Sequence, residues 1–161
     1  MHRIYIVVRW LLGGVFIFAG GTKLVAPQTF AALIGAYGIL PDILVMPAAI
    51  VLPAAEVLAG AALLGDLRGS LSAIALLLLL FMAILAYGLW MGLDVDCGCF
   101  GPDDPEAEAF HGLRGALFRD AMMMAAVVAL YWWRRHRQLR PVSFKYFSES
   151  IYRSVTHGKI L

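Results

Sequence analysis

Charge is scarce in this chain: of 161 residues, 15% are Asp, Glu, Lys or Arg while 61% are hydrophobic, with a formal net charge of +2. Soluble domains carry roughly a quarter of their residues as charges, so the composition excludes an ordinary water-soluble fold. The protein reads as an integral membrane protein whose solvent is the lipid bilayer, and no nucleic acid is expected among its partners. Cysteine is scarcer still. The two that exist, Cys97 and Cys99, stand one glycine apart in Asp96-Cys97-Gly98-Cys99-Phe100-Gly101. Histidine is sparse too, and near that pair only His111 is found. That argues against a closed zinc site, which wants four ligands.

What is present is long apolar sequence. Crossing a hydrocarbon layer takes about 20 helical residues, and Ile4 to Gly21, Ile43 to Leu64, Ser70 to Gly92 and Leu113 to Trp133 each satisfy it. The first run is longer than the core of a signal peptide and leads into Gly20-Gly21-Thr22-Lys23 in place of an A-x-A cleavage site, so it is expected to be a retained helix. The connection from Asp66 to Gly69 is too short for anything but a tight turn, which makes the second and third spans antiparallel neighbours in a compact bundle. In the first connection, Phe30, Leu33, Ile34 and Tyr37 recur at helical spacing after Pro27, with Gly38 and Pro41 as a stop. A short helix in the membrane interface is expected there. Small residues crowd span one (Gly13, Gly14, Ala19, Gly20, Gly21) and span two (Ala48, Ala49, Ala54, Ala55, Ala59, Gly60), as close helix packing in lipid requires.

The expected fold class is therefore all-α: an up-and-down bundle of four membrane spans with a short interfacial helix after span one. Residues 1–137 would form the transmembrane domain and 138–161 a cytoplasmic tail. In that tail, Phe144, Phe147, Ile151 and Val155 follow helical spacing with basic residues around them, as in an amphipathic helix on an anionic inner leaflet. Basic residues near span ends stay in the cytoplasm. Ten of the 13 fall on the side of both termini, and Lys23, Arg114 and Arg119 on the other. Both termini are thus expected in the cytoplasm of an inner membrane, and the Cys97 loop on the periplasmic or extracellular face, where disulfides persist.

Several charges lie inside or at the rim of these spans. Arg9 and Glu56 sit at depths that agree to within one helical turn, and an unpaired charge there costs roughly 2.5–3.5 kcal/mol, so the two are expected to pair. The pair would serve either as a brace or in proton or ligand handling. Lys23 closes span one, while Arg119 and Asp120 enter span four from the same face. A polar cluster of the three beneath the Cys97 loop is expected; the alternative for the two cations is snorkelling toward headgroups.

The Cys97 and Cys99 thiols carry the chemistry. A disulfide closed across one glycine is a small, strained ring, and strained disulfides are the labile, redox-active ones. Such a bond constrains almost no chain, so it makes a poor structural staple. Thiol–disulfide exchange is the favoured reading, which makes the protein a candidate oxidoreductase. Three others stay open: Cys97 and Cys99 as soft ligands for a Cu(I)-like ion in transport or as a chaperone, a noncatalytic scaffold for a redox partner, and a structural disulfide.

These features together resemble the MauE family, named for methylamine utilisation, within the DoxX-like group of four-span membrane proteins. The resemblance rests on Phe18-Ala19-Gly20-Gly21-Thr22-Lys23, on Phe30 through Tyr37 to Leu40-Pro41, and on Leu52-Pro53-Ala54-Ala55-Glu56 with Gly60. It is completed by the Cys97 hexapeptide and by Arg119-Asp120. It implies help in forming or handling the disulfides of exported proteins beside a thioredoxin-like partner, with methylamine dehydrogenase maturation as the namesake case. Cys97 and Cys99 would be the redox pair, and Lys23, Glu56, Arg119 and Asp120 the family's polar positions. The DsbB and vitamin K epoxide reductase families use two cysteine pairs; this chain has one. Electrons would then pass from Cys97 and Cys99 directly to a quinone or to a partner protein.

Overall fold

The computed structural model describes residues 2–92 and 113–137. Those residues form five helices and no strand: α1 His2–Val25, α2 Pro27–Ala36, α3 Asp42–Leu64, α4 Ser70–Met91 and α5 Leu113–Arg137. Three of them, α1 from Arg3, α3 and α4, are long and apolar enough to cross a bilayer. Their outward faces carry bare apolar side chains, among them Leu11, Leu58, Leu76 and Trp90. Water cannot solvate such faces, whereas lipid does, so the chain is a multi-pass protein of the membrane. α5 has the length as well but bears Arg114, Arg119 and Asp120 in its first turns. The amphipathic tail of residues 138–161 and the Cys97 loop lie outside the described residues.

The principal seam is α1 against α3. Gly13 faces Gly60 and Leu64, while Gly20 faces Pro53 and Glu56, so positions rising along one helix meet positions falling along the other. The two helices are antiparallel, in a register set by glycines. A Cβ on Gly60 would lie 2.7 Å from the Gly13 carbonyl oxygen, and one on Gly20 only 2.6 Å from that of Pro53. In lipid, where van der Waals packing replaces the hydrophobic effect as the force between helices, such backbone contact is what small residues provide.

α4 packs against α5 in the same antiparallel sense, with Gly88 beside Leu113 at one end and the Ser72 hydroxyl hydrogen-bonded to Tyr131 toward the other. Between α3 and α4 the chain reverses through Gly65 to Gly69. Asp66 there adopts φ 53°, a left-handed conformation that Asp tolerates better than most residues, and Gly69 has φ 94°. Leu67 N–H closes the turn onto the Ala62 carbonyl.

α2 starts with Pro27 at its first helical position, where a missing N–H costs nothing, and ends before Gly38 at φ 63°. It folds back on α3 and, more lightly, on α1. The expected short helix is present, and its apolar residues Phe30, Leu33 and Ile34 turn inward as one wall of a cavity.

Two apolar clusters hold the bundle. The larger joins α1, α3, α4 and α5 through Tyr5, Phe16, Leu63, Ile74, Leu78 and Leu130. A smaller one links Tyr37, Leu85, Leu113 and Ala116 at the end that carries α2.

Gly20→Ala and Gly60→Ala should each destabilise the protein by about 1–3 kcal/mol, because the added methyl meets backbone that cannot move alone. Gly14→Ala and Gly21→Ala, which point into open space, should be neutral or slightly stabilising through helix propensity. Unfolding in a detergent titration of the four variants checks the contrast.

Candidate functional site

At the α2 end, Lys23 of α1 and Glu56 of α3 form a buried ion pair. Lys23 Nζ donates to both carboxylate oxygens of Glu56, at 2.7 and 3.0 Å, with the two side chains 5% and 3% exposed. Two aromatic rings flank the ammonium, Phe30 of α2 at 5.2 Å and Phe81 of α4 at 5.0 Å from ring centroid to nitrogen. Their π faces add cation–π attraction where no water competes.

The meeting of Lys23 and Glu56 follows from helix geometry. Cα–Cβ bonds tilt toward a helix N-terminus. Lys23, near the C-terminal end of α1, therefore leans back down the bundle, while Glu56 on the antiparallel α3 leans the opposite way, toward it. The contact of Gly20 with Pro53 and Glu56 sets their heights to match.

A second pair stands close by on α5, where Arg119 reaches the Asp120 carboxylate at 3.4 Å and Asp120 is buried. Glu56 lies in the field of Arg119 and Asp120, and Asp120 in that of Lys23. Lys23, Glu56, Arg119 and Asp120 all line a single cavity of about 450 Å³, whose remaining walls are apolar and aromatic: Phe16, Phe30, Tyr37 and Phe81, with Leu and Ile from α2, α3 and α4. Its volume falls in the roughly 300–1,000 Å³ range of small-molecule sites, and so does its character, an apolar chamber with a few converging polar groups.

The structure thus brings Lys23, Arg119 and Asp120 to one cavity. Lys23 does not snorkel outward; its ammonium is turned into the protein. The pairing expected between Arg9 and Glu56 is not made. Arg9 instead bonds Asp66 at 2.9 Å and the Leu64 carbonyl at 3.2 Å, at the opposite end of the bundle. Depth alone suggested the wrong partner. Arg9 also leans toward the N-terminus of α1, away from Glu56, and its long side chain ends at the α3–α4 turn.

Asp66, which the sequence reading had not singled out, accepts from Arg9, from Tyr5 at 3.1 Å and from Arg134. It ties α1, the turn and α5 together. A carboxylate in a turn between two spans, on the face that carries most of the arginines, was the available signal.

Cys97 and Cys99 lie outside the described residues. Among the described ones, no group of three or more His, Cys, Asp or Glu is arranged to hold a metal ion.

A family model described as methylamine utilisation protein MauE matches residues 1–133, which take in every described helix except the last residues of α5. No curated protein and no solved structure matches the chain.

Removing one member of a buried ion pair strands the other, at a typical cost of 3–5 kcal/mol, whereas replacing both by apolar residues of similar volume is often neutral. Lys23→Met and Glu56→Met should therefore each destabilise by about 3–5 kcal/mol, and the double variant by far less than their sum. A double-mutant cycle of unfolding free energies checks it.

Proposed function

This chain belongs to the MauE family, and on that premise we propose that it is a membrane thiol–disulfide redox protein. Its Cys97–Cys99 pair exchanges electrons with a thioredoxin-like or exported partner and so supports disulfide formation in exported proteins. The observation that carries the reading is the Cys-Gly-Cys sequence itself, two cysteines one glycine apart whose disulfide would stabilise almost nothing and would be readily reduced.

The fold supports it through chain connectivity. Gly92 ends α4, and one turn earlier Gly88 lies against Tyr37 and Leu113, the latter at the start of α5. Tyr37 lines the cavity. Four residues of chain separate Gly92 from Cys97, and the five Cα-to-Cα steps limit their separation to about 17 Å. The thiols are thus tethered to the end of the bundle that holds the charged cavity, opposite the Asp66 network.

In this reading α5 is the fourth span of an up-and-down bundle, both termini are in the cytoplasm of an inner membrane, and the Cys97 loop faces the oxidising side. The exchange runs by two steps. A thiolate of the partner attacks one sulfur of the Cys97–Cys99 disulfide, forming a mixed disulfide and releasing the other cysteine as a thiolate. That thiolate then attacks the mixed disulfide, or a second partner thiol does, which passes the bond on or returns it.

Equilibration in glutathione buffers followed by alkylation should give a midpoint more oxidising than the roughly −300 mV below which structural disulfides fall. Cys97→Ser or Cys99→Ser should trap a mixed disulfide with an exported-compartment protein and abolish turnover. A pair that stays reduced at every physiological poise and traps nothing sinks the proposal, and tight Cu(I) uptake lost in both variants would favour soft-metal handling.

Reporter fusions after Gly92 and after Arg137 should report opposite sides of the membrane, with the Gly92 fusion on the exported side. The reverse result removes the compartment on which the redox role depends.

A further inference from the structure

We propose that the cavity lined by residues of α1 to α5 is a quinone site, in which Lys23 Nζ donates a hydrogen bond to a ring carbonyl. Four observations converge on that ligand class. First, an ammonium has three N–H donors, and Lys23 spends two on Glu56. The third has no oxygen acceptor among the described residues and lies beside the Phe30 and Phe81 ring faces, in a side chain that is 5% exposed and lines the cavity. A ring face is a weaker acceptor than a carbonyl oxygen, so the site favours a ligand that brings one.

Second, the formal charges of the described residues that line the floor cancel. Lys23 and Arg119 are balanced by Glu56 and Asp120. A fatty acid or phosphate headgroup would add a net charge to that balance, whereas a carbonyl oxygen adds none.

Third, the walls beside the ammonium are flat. The Phe30 and Phe81 rings flank Lys23 Nζ, and Phe16 and Tyr37 line the same space. Planar faces of this kind suit an aromatic or quinonoid ring by stacking. Fourth, the rest of the lining is aliphatic, from Leu33 and Ile34 of α2 to Leu52 and Ile84, room for the apolar tail of a molecule that arrives through the bilayer.

As an electron acceptor the quinone rests on the thiol-redox reading; as a ligand it does not. The step balances. As the Cys97–Cys99 bond forms, two thiols lose two electrons and two protons. The quinone gains the same two electrons and two protons, and its carbonyl oxygens become the hydroxyls of a quinol.

The test uses the full chain in nanodiscs with decylubiquinone as probe, titrated calorimetrically against empty nanodiscs. Wild type and a Cys97→Ser/Cys99→Ser variant should bind saturably and equally. Lys23→Met/Glu56→Met, which removes the donor without stranding a charge, should weaken binding by about tenfold or more, the worth of one buried hydrogen bond. Ala48→Trp, placed on the cavity wall, should weaken it independently, and 1-decanol should not compete.

Absence of saturable binding, undiminished binding in either the Met pair or Ala48→Trp, or displacement by decanol overturns the site. With the reduced dithiol, one quinol should appear per disulfide formed. Binding without quinol formation overturns the acceptor role while leaving partner exchange standing, and thiols that no oxidant converts overturn the redox reading instead.

Discussion

A charge withdrawn from water into apolar surroundings must meet its opposite, and the arrangement of this bundle follows from that constraint. Lys23 with Glu56, Arg119 with Asp120, and Arg9 and Arg134 with Asp66 form three groups of ion pairs among the described residues. Two of the three groups join different helices, so each holds helix positions as well as neutralising charge. Lipid offers no hydrophobic drive for one span to prefer another. Glycine contact sets the α1–α3 register, and in that register Lys23 meets Glu56, so close packing and charge pairing agree on one position.

The charged groups divide the molecule into two ends with different character. Around Asp66 the network is anchored in a tight turn and partly exposed, and it reads as a fastening of α1, the turn and α5. At the other end the charges face an apolar chamber, and α2, the one short helix, is folded over it. A bundle held only for stability would fill that space with side chains, since close packing is what interiors reach by default. The chamber, and the Lys23 ammonium that borders it with Glu56 as its oxygen partner among the described residues, are therefore the features that stability does not demand, and they lie at the end to which the cysteine segment is attached.

Much of the architecture was legible in the residues. Apolar runs of sufficient length announced the helices. Pro27 and Gly38 bracketed α2, the four-residue Asp66 to Gly69 connection made α3 and α4 neighbours, and clustered glycines marked the seam of α1 with α3. The gathering of Lys23, Arg119 and Asp120 at one end of the bundle followed from their positions near helix ends. Family membership followed from spaced motifs rather than from composition. The partner of each buried charge was less accessible. Matching Arg9 to Glu56 by depth treated side chains as points on the helix axis, whereas Lys and Arg reach several ångströms along it, in a direction set by chain polarity.

What the sequence by itself determined is the solvent and the position of the thiols: a hydrophobic majority requires lipid, and the two cysteines stand with one glycine between them. Only the tertiary structure decided which charges neutralise which, and that four of them, from three helices, border one cavity. The reason is physical. Partition into a bilayer depends on local composition summed along a helix, while pairing depends on the register between helices, on backbone contact at Gly20 and Gly60, and on the direction in which each side chain leans.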